Sequence, residues 1–120
     1  MIKYKGKIIS IGPMVEEFRQ AGILVFFGEG VPEELVEFSI VHDAKDLVSP
    51  VEIGDFVTIE KETYKVLAVG DVANTNLANL GHLILKFNGD TQARLPGDVN
   101  VEEKPVPEIQ VGSEIKIEQL

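Results

Sequence analysis

Two histidines and a surplus of carboxylates are the side chains of this chain best suited to chemistry near neutral pH. His42 ends the run Phe38-Ser39-Ile40-Val41-His42-Asp43. Strand phase counted from Val36 puts Val36, Phe38, Ile40 and His42 on one face, with Glu37, Ser39, Val41 and Asp43 on the other. An imidazole closing an apolar face can bury one ring nitrogen against a fixed partner and turn the other to solvent, as a nucleophilic imidazole requires. The plain alternative is a satisfied structural histidine. His82 follows Gly81 and faces away from Leu83, Leu85 and Phe87, a partly exposed position where a helix C-terminus favours the protonated ring. It could support His42 only if the fold closed two distant segments on each other.

Other chemistries find little to work with. The chain has no cysteine, which excludes thiolate nucleophiles, disulfides and the usual structural zinc sites. His42, Asp43, Asp46 and His82 form no recognised ligand spacing, so no metal is expected. A Gly-x-Ser-x-Gly elbow is missing, and Gly28-Glu29-Gly30 lacks the Walker lysine and the dinucleotide fingerprint, so no nucleotide or other cofactor is expected either. The 11 basic and 20 acidic residues give a net charge of −9. Phosphate backbones would be repelled, so nucleic acid is not an expected partner, and a basic protein suits the charge better. The apolar stretch after Met1–Lys7 is too short for a secretory signal. The run Ile23–Phe27 is too short to span a bilayer. A soluble, cytoplasmic protein without direct membrane insertion is expected.

The elements that must position the histidines read as short strands. They are Lys3–Gly12, Ile23–Phe27, Val36–Asp43, Phe56–Glu60, Tyr64–Val69, His82–Phe87, Arg94–Val101 and Glu114–Glu118, punctuated by glycine and proline. Asn88-Gly89 carries a hairpin signal. Met14–Gln20 and Val31–Leu35 each suit a helical turn, and Val72–Leu80 has helical spacing with Gly81 where a C-cap is wanted. Val51–Glu60 aligns with Ile109–Glu118, and Lys7–Gly12 with Lys65–Gly70, both at an offset of ~58 residues; Ile23–Phe27 aligns with Leu83–Phe87 at ~60. The region matching His42, near Asn100 to Glu102, has no histidine. Together these features predict one all-β domain over 1–120, a small β-barrel or pseudo-barrel of two duplicated halves (1–60 and 61–120) with one or two short helical connections, a β-sandwich being the alternative.

The ordered set Glu29-Gly30-Val31-Pro32, Phe38 to His42, Ala68 to His82 and Leu95-Pro96-Gly97-Asp98-Val99-Asn100-Val101 resembles the glucitol/sorbitol-specific IIA component of the bacterial phosphoenolpyruvate-dependent sugar phosphotransferase system, over nearly the whole chain. The resemblance implies a phosphotransferase component working through a phosphohistidine. The phosphoryl group would come from the carrier protein HPr to His42 and pass to the IIB/IIC sugar permease components, serving uptake of glucitol/sorbitol or a related polyol. It gives Gly81-His82 a supporting place. Glu33, Glu34, Glu37 and Asp46 become candidate contacts for a basic patch on HPr. Two other readings stand beside it: a non-catalytic acidic β-barrel binding or regulatory module with structural histidines, and a subunit whose strand edges pair in a homodimer or larger assembly.

Overall fold

A computed structural model describes all residues, 1–120. Eight strands and two short helices follow one another as β1 (Ile2–Ile11), α1 (Val15–Gln20), β2 (Ile23–Gly28), a 3₁₀ segment (Glu33–Phe38), β3 (Ile40–His42), β4 (Phe56–Ile59), β5 (Glu62–Val69), α2 (Ala73–Leu80), β6 (Leu83–Lys86), β7 (Asp98–Val101) and β8 (Glu114–Glu118). The strands close a barrel in the order β1-β3-β2-β6-β7-β5-β4-β8, so each has two partners and no edge is left open. The expected barrel is therefore present, and the sandwich is not.

Alternation along the strands fills the barrel. Leu83, Leu85 and Phe87 point inward as their period requires, and they join Leu24, Phe26, Ile40, Val57, Ile59, Val99, Val101, Ile115 and Ile117 in one buried cluster. Lys3 is buried too, its ammonium 2.7 Å from Asp55 Oδ2 and 2.8 Å from the Pro50 carbonyl, which ties β1 to the turn before β4. No helix is long and apolar enough to cross a membrane.

Three expectations need correcting. The strand expected from Val36 to Asp43 is only Ile40–His42, because Glu33–Phe38 coils as a 3₁₀ segment, and the helical turn expected at Val31–Leu35 is displaced into it. Two contacts select the coil, one local and one from a distant stretch of chain. Ser39 Oγ donates to the Leu35 carbonyl at 2.6 Å, and the carbonyls of Val36 and Glu37 lie against Gly12, where a side chain would collide with them. The strand expected over Arg94–Val101 begins only at Asp98. Asn88-Gly89 does turn the chain, with Gly89 at φ 70°, but it does not make a hairpin. β6 and β7 run parallel, so residues 88–97 must carry the chain back before β7 starts.

The pairing pattern occurs twice. Ile8 faces His42, and Ile11 faces Ile40, across β1 and β3; Val66 faces Val101, and Val69 faces Val99, across β5 and β7. Both pairs of strands carry a register shift at the same place, between Ile8 and Ser10 in one and between Val66 and Ala68 in the other. In β2 and β6 the corresponding residues are Leu24 with Leu83 and Phe26 with Leu85, one position earlier than the alignment of Ile23–Phe27 on Leu83–Phe87.

Candidate functional site

Strand β3 is held between β1 and β2, so the imidazole of His42 enters a narrow, well-buried place. The ring is 1% exposed, meets Tyr4 edge-on at 5.5 Å and lies 6.4 Å from Phe26, centroid to centroid. Neither ring nitrogen faces solvent. Nε2 is 2.8 Å from the Gly81 carbonyl, and the Ala44 N–H donates to Nδ1 at 3.2 Å. This differs from the expectation that one nitrogen would be open to solvent. The missing signal was non-local, since Gly81 arrives from the far end of α2.

These two backbone groups settle the tautomer. A carbonyl can only accept, so Nε2 carries the hydrogen; an amide N–H can only donate, so Nδ1 carries the lone pair. Burial pulls the His42 pKa below its ordinary value of 6.5, against the opposing pull of the Gly81 carbonyl and of Asp43 and Glu29, while Lys45 adds to the lowering. The ring is neutral at pH 7. Asp43, as strand phase requires, turns the other way, accepting from the Lys7 N–H at 2.7 Å.

Glycines make this arrangement possible. Gly81 caps α2 in the left-handed conformation at φ 63° and packs so tightly that a Cβ there would lie 2.6 Å from Gly28 N and 3.0 Å from His42 Cε1. Gly6 lies under Ala44, whose Cβ would be 2.7 Å from any Cβ at position 6. Next to the ring is a crevice of about 200 Å³ that His42 itself does not line; Tyr4, Ala44 and Gly81, which contact the imidazole, do line it, together with Phe27–Pro32, Lys45 and Ala78–Leu80. The larger cavity on the surface, about 660 Å³ between Glu60–Glu62, Tyr64 and Lys104–Glu108, shares no residue with it.

The equivalent place in the other half is filled. Register puts Val101 where His42 is and Tyr64 where Gly6 is; continuing β6 by the same spacing puts Phe87 where Gly28 is. Tyr64 and Phe87 pack edge to face at 4.8 Å, and Val101 is buried. Apolar packing thus surrounds Val101, while Tyr64 also lines the cavity of about 660 Å³.

His82 is near in chain and apart in contact. Its Nδ1 is 3.1 Å from the Phe26 carbonyl, and its ring stacks on Phe27 at 4.1 Å. No hydrogen bond or ring contact joins the two imidazoles. The link between them is the peptide at Gly81–His82. Glu29, Glu33, Glu34, Glu37 and Asp46 are all exposed, and no group of three or more histidine and carboxylate side chains is placed to hold a metal ion.

The closed eight-stranded barrel of this chain also has counterparts among known proteins. Its fold matches the crystal structure of a phosphotransferase-system IIA component from Enterococcus faecalis with a TM-score of 0.84, at 23% identity, covering 96% of this chain and 99% of that one. The model of the glucitol/sorbitol-specific IIA component family matches residues 3–116. Glucitol/sorbitol-specific EIIA components of Shigella flexneri and Escherichia coli are each 36% identical to it over 118 residues, 98% of this chain and 95% of theirs. The chain belongs to the glucitol/sorbitol-specific IIA component family of the sugar phosphotransferase system.

Proposed function

We propose that this phosphotransferase-system IIA component carries its phosphoryl group on His42, receiving it from phospho-HPr and passing it to the IIB component. The observation that supports this reading most is the state of the imidazole: neutral by burial and fixed in one tautomer by Gly81 and Ala44. An attacking imidazole must be unprotonated and correctly aimed, and positioning is most of what phosphoryl transfer asks of a protein. Asp43 is turned onto β1, which spares the incoming group a close like charge. His82 helps by stacking on Phe27 and anchoring to the Phe26 carbonyl, which steadies the peptide that presents the Gly81 carbonyl.

The acidic rim of Glu29, Glu33, Glu34, Glu37 and Asp46 suits the basic patch of a cytoplasmic donor and speeds encounter more than it tightens binding. The transported polyol, glucitol/sorbitol or a relative, touches the permease and not this chain. We read residues 1–120 as one domain of two duplicated halves, with the twofold pairing pattern as support. The test is to incubate the chain with phosphoenolpyruvate, enzyme I and HPr and assay for an acid-labile phosphoryl adduct. The adduct is expected in the wild type and lost in His42→Ala. An adduct unchanged in His42→Ala, or none at all, overturns the reading in favour of a binding module with structural histidines.

A further inference from the structure

The two hydrogen bonds on the His42 ring bear on where a phosphoryl group can be attached, given the reading of His42 as its acceptor. Nε2 has no lone pair to offer, because its hydrogen lies on the Gly81 carbonyl at 2.8 Å. That carbonyl has little room to retreat, since Gly81 is packed directly against Gly28. Nδ1 is held differently. Its lone pair meets only the Ala44 N–H, at a longer 3.2 Å. Ala44 opens a stretch in which Lys45, Asp46 and Leu47 donate no backbone hydrogen bond, although the stretch is anchored at both ends, by the Asp43 N–H to Lys7 at 3.1 Å and the Val48 N–H to Lys3 at 2.9 Å. Segments of this kind open locally at small free-energy cost.

The same stretch forms one wall of the crevice, where Lys45 is the only cationic side chain among the lining residues. Lys45 is 71% exposed and sits 3.9 Å from Glu29, a loose pair free to exchange. Tyr4 also borders the crevice, and its hydroxyl is buried without a hydrogen-bond partner, an uncommon state that calls for an occupant or a function. The crevice of about 200 Å³ is roomy for a group of few atoms.

We propose that the phosphoryl group is carried on Nδ1 of His42, seated in this crevice with Lys45 as its counter-charge and the Tyr4 hydroxyl as a hydrogen-bond donor. In the transfer the Nδ1 lone pair forms the new N–P bond in line, while the N–P bond of the donor's phosphohistidine breaks and its electron pair returns to the donor imidazole. No proton is transferred. The His42 ring keeps its Nε2 hydrogen on the Gly81 carbonyl, which offsets the positive charge the ring gains. The Ala44 N–H leaves Nδ1 and donates to a phosphoryl oxygen, and Lys45 exchanges Glu29 for the new dianion.

NMR of the wild-type chain labelled with ¹⁵N-histidine and phosphorylated through phosphoenolpyruvate, enzyme I and HPr tests the assignment. Coupling to ³¹P is expected at Nδ1 of His42, with the Nε2 hydrogen correlation retained. Coupling at Nε2 overturns the proposal while leaving His42 as the carrier; absence of any adduct on His42 overturns both. Tyr4→Phe keeps the ring packing and removes only the hydroxyl. Loss of one hydrogen bond to a charged group is expected to lower the phosphorylated fraction at equilibrium with HPr about tenfold. Lys45→Gln is expected to lower it in a salt-dependent way, with Lys45→Arg restoring it. A Tyr4→Phe variant with the wild-type equilibrium, or a Lys45→Gln variant indifferent to salt and equal to wild type, removes that group from the site.

Discussion

Gly81→Ala tests the backbone approach on which the site depends. Two costs add at this position. The first is conformational, because φ is 63° and an L side chain in the left-handed region costs about 1–2 kcal/mol. The second is steric, because the new Cβ would sit 2.6 Å from Gly28 N and 3.0 Å from His42 Cε1. Gly28 N is strand backbone at the end of β2, paired with β3, and cannot swing aside as a flexible side chain would, so overpacking adds about 1–3 kcal/mol. Gly22→Ala is the matched control. It also follows a helix with φ at 81°, but nothing lies within 4 Å of its Cβ position, so it carries the first cost alone. With a urea m-value of about 2 kcal/mol per M, the Gly81→Ala midpoint should fall about 0.5–1.5 M below that of Gly22→Ala. The His42 Nε2 resonance should also move in Gly81→Ala and stay in Gly22→Ala. Coincident midpoints, with an unmoved His42 ring, would refute the packing of Gly81 on Gly28 and on the imidazole.

Three further outcomes are expected. Because burial lowers the His42 pKa below 6.5, the folded state resists a proton that the unfolded chain accepts; the associated stability is complete above the ordinary value and is lost as pH falls through it. Urea midpoints from pH 8 to 5 should therefore decline more steeply in the wild type than in His42→Gln, and an equal or shallower decline contradicts the assignment. Asp55→Asn leaves the buried Lys3 ammonium with only the exposed Glu52 carboxylate, at 3.5 Å, and should cost up to about 3–5 kcal/mol by urea unfolding, most of it recovered when Lys3→Met is added and the buried pair of charges is gone. Val101→His, made in a His42→Ala background, places an imidazole at the equivalent point of the other half, beneath Tyr64 and Phe87. No phosphoryl adduct should form there; an adduct would show that the crevice is not what admits the donor.

Much of the barrel was legible because period-2 alternation is a local signal. Leu83, Leu85 and Phe87 reveal their inward face without reference to any partner, and Gly81 reveals itself as a cap by following a helical pattern. What failed was decided at a distance. Val36, Glu37 and Phe38 have strand composition, but Gly12, just after β1, lies against the carbonyls of Val36 and Glu37 and Ser39 closes the coil. Asn88-Gly89 looks the same whether the next strand returns antiparallel or crosses to a parallel place. His42 could be picked out by its position at the end of an apolar run. Its tautomer could not, because the Gly81 carbonyl is 39 residues away in the chain.

The comparison between halves shows how a symmetric scaffold yields one site. The pairing geometry around His42 and around Val101 is the same, down to the register shift in the neighbouring strand, so the backbone alone does not distinguish them. Three side-chain differences do. Tyr64 and Phe87 pack against each other over Val101, whereas at His42 the glycines Gly6 and Gly28 leave that volume to neighbouring main chain. Into the space beside Gly6 comes Ala44, whose N–H reaches the Nδ1 lone pair; against Gly28 comes Gly81, whose carbonyl takes the Nε2 hydrogen. The two glycines therefore do more than make room. They let two stretches of backbone approach closely enough to orient an imidazole with main-chain groups alone, which do not titrate near neutral pH and so hold the neutral ring in one tautomer.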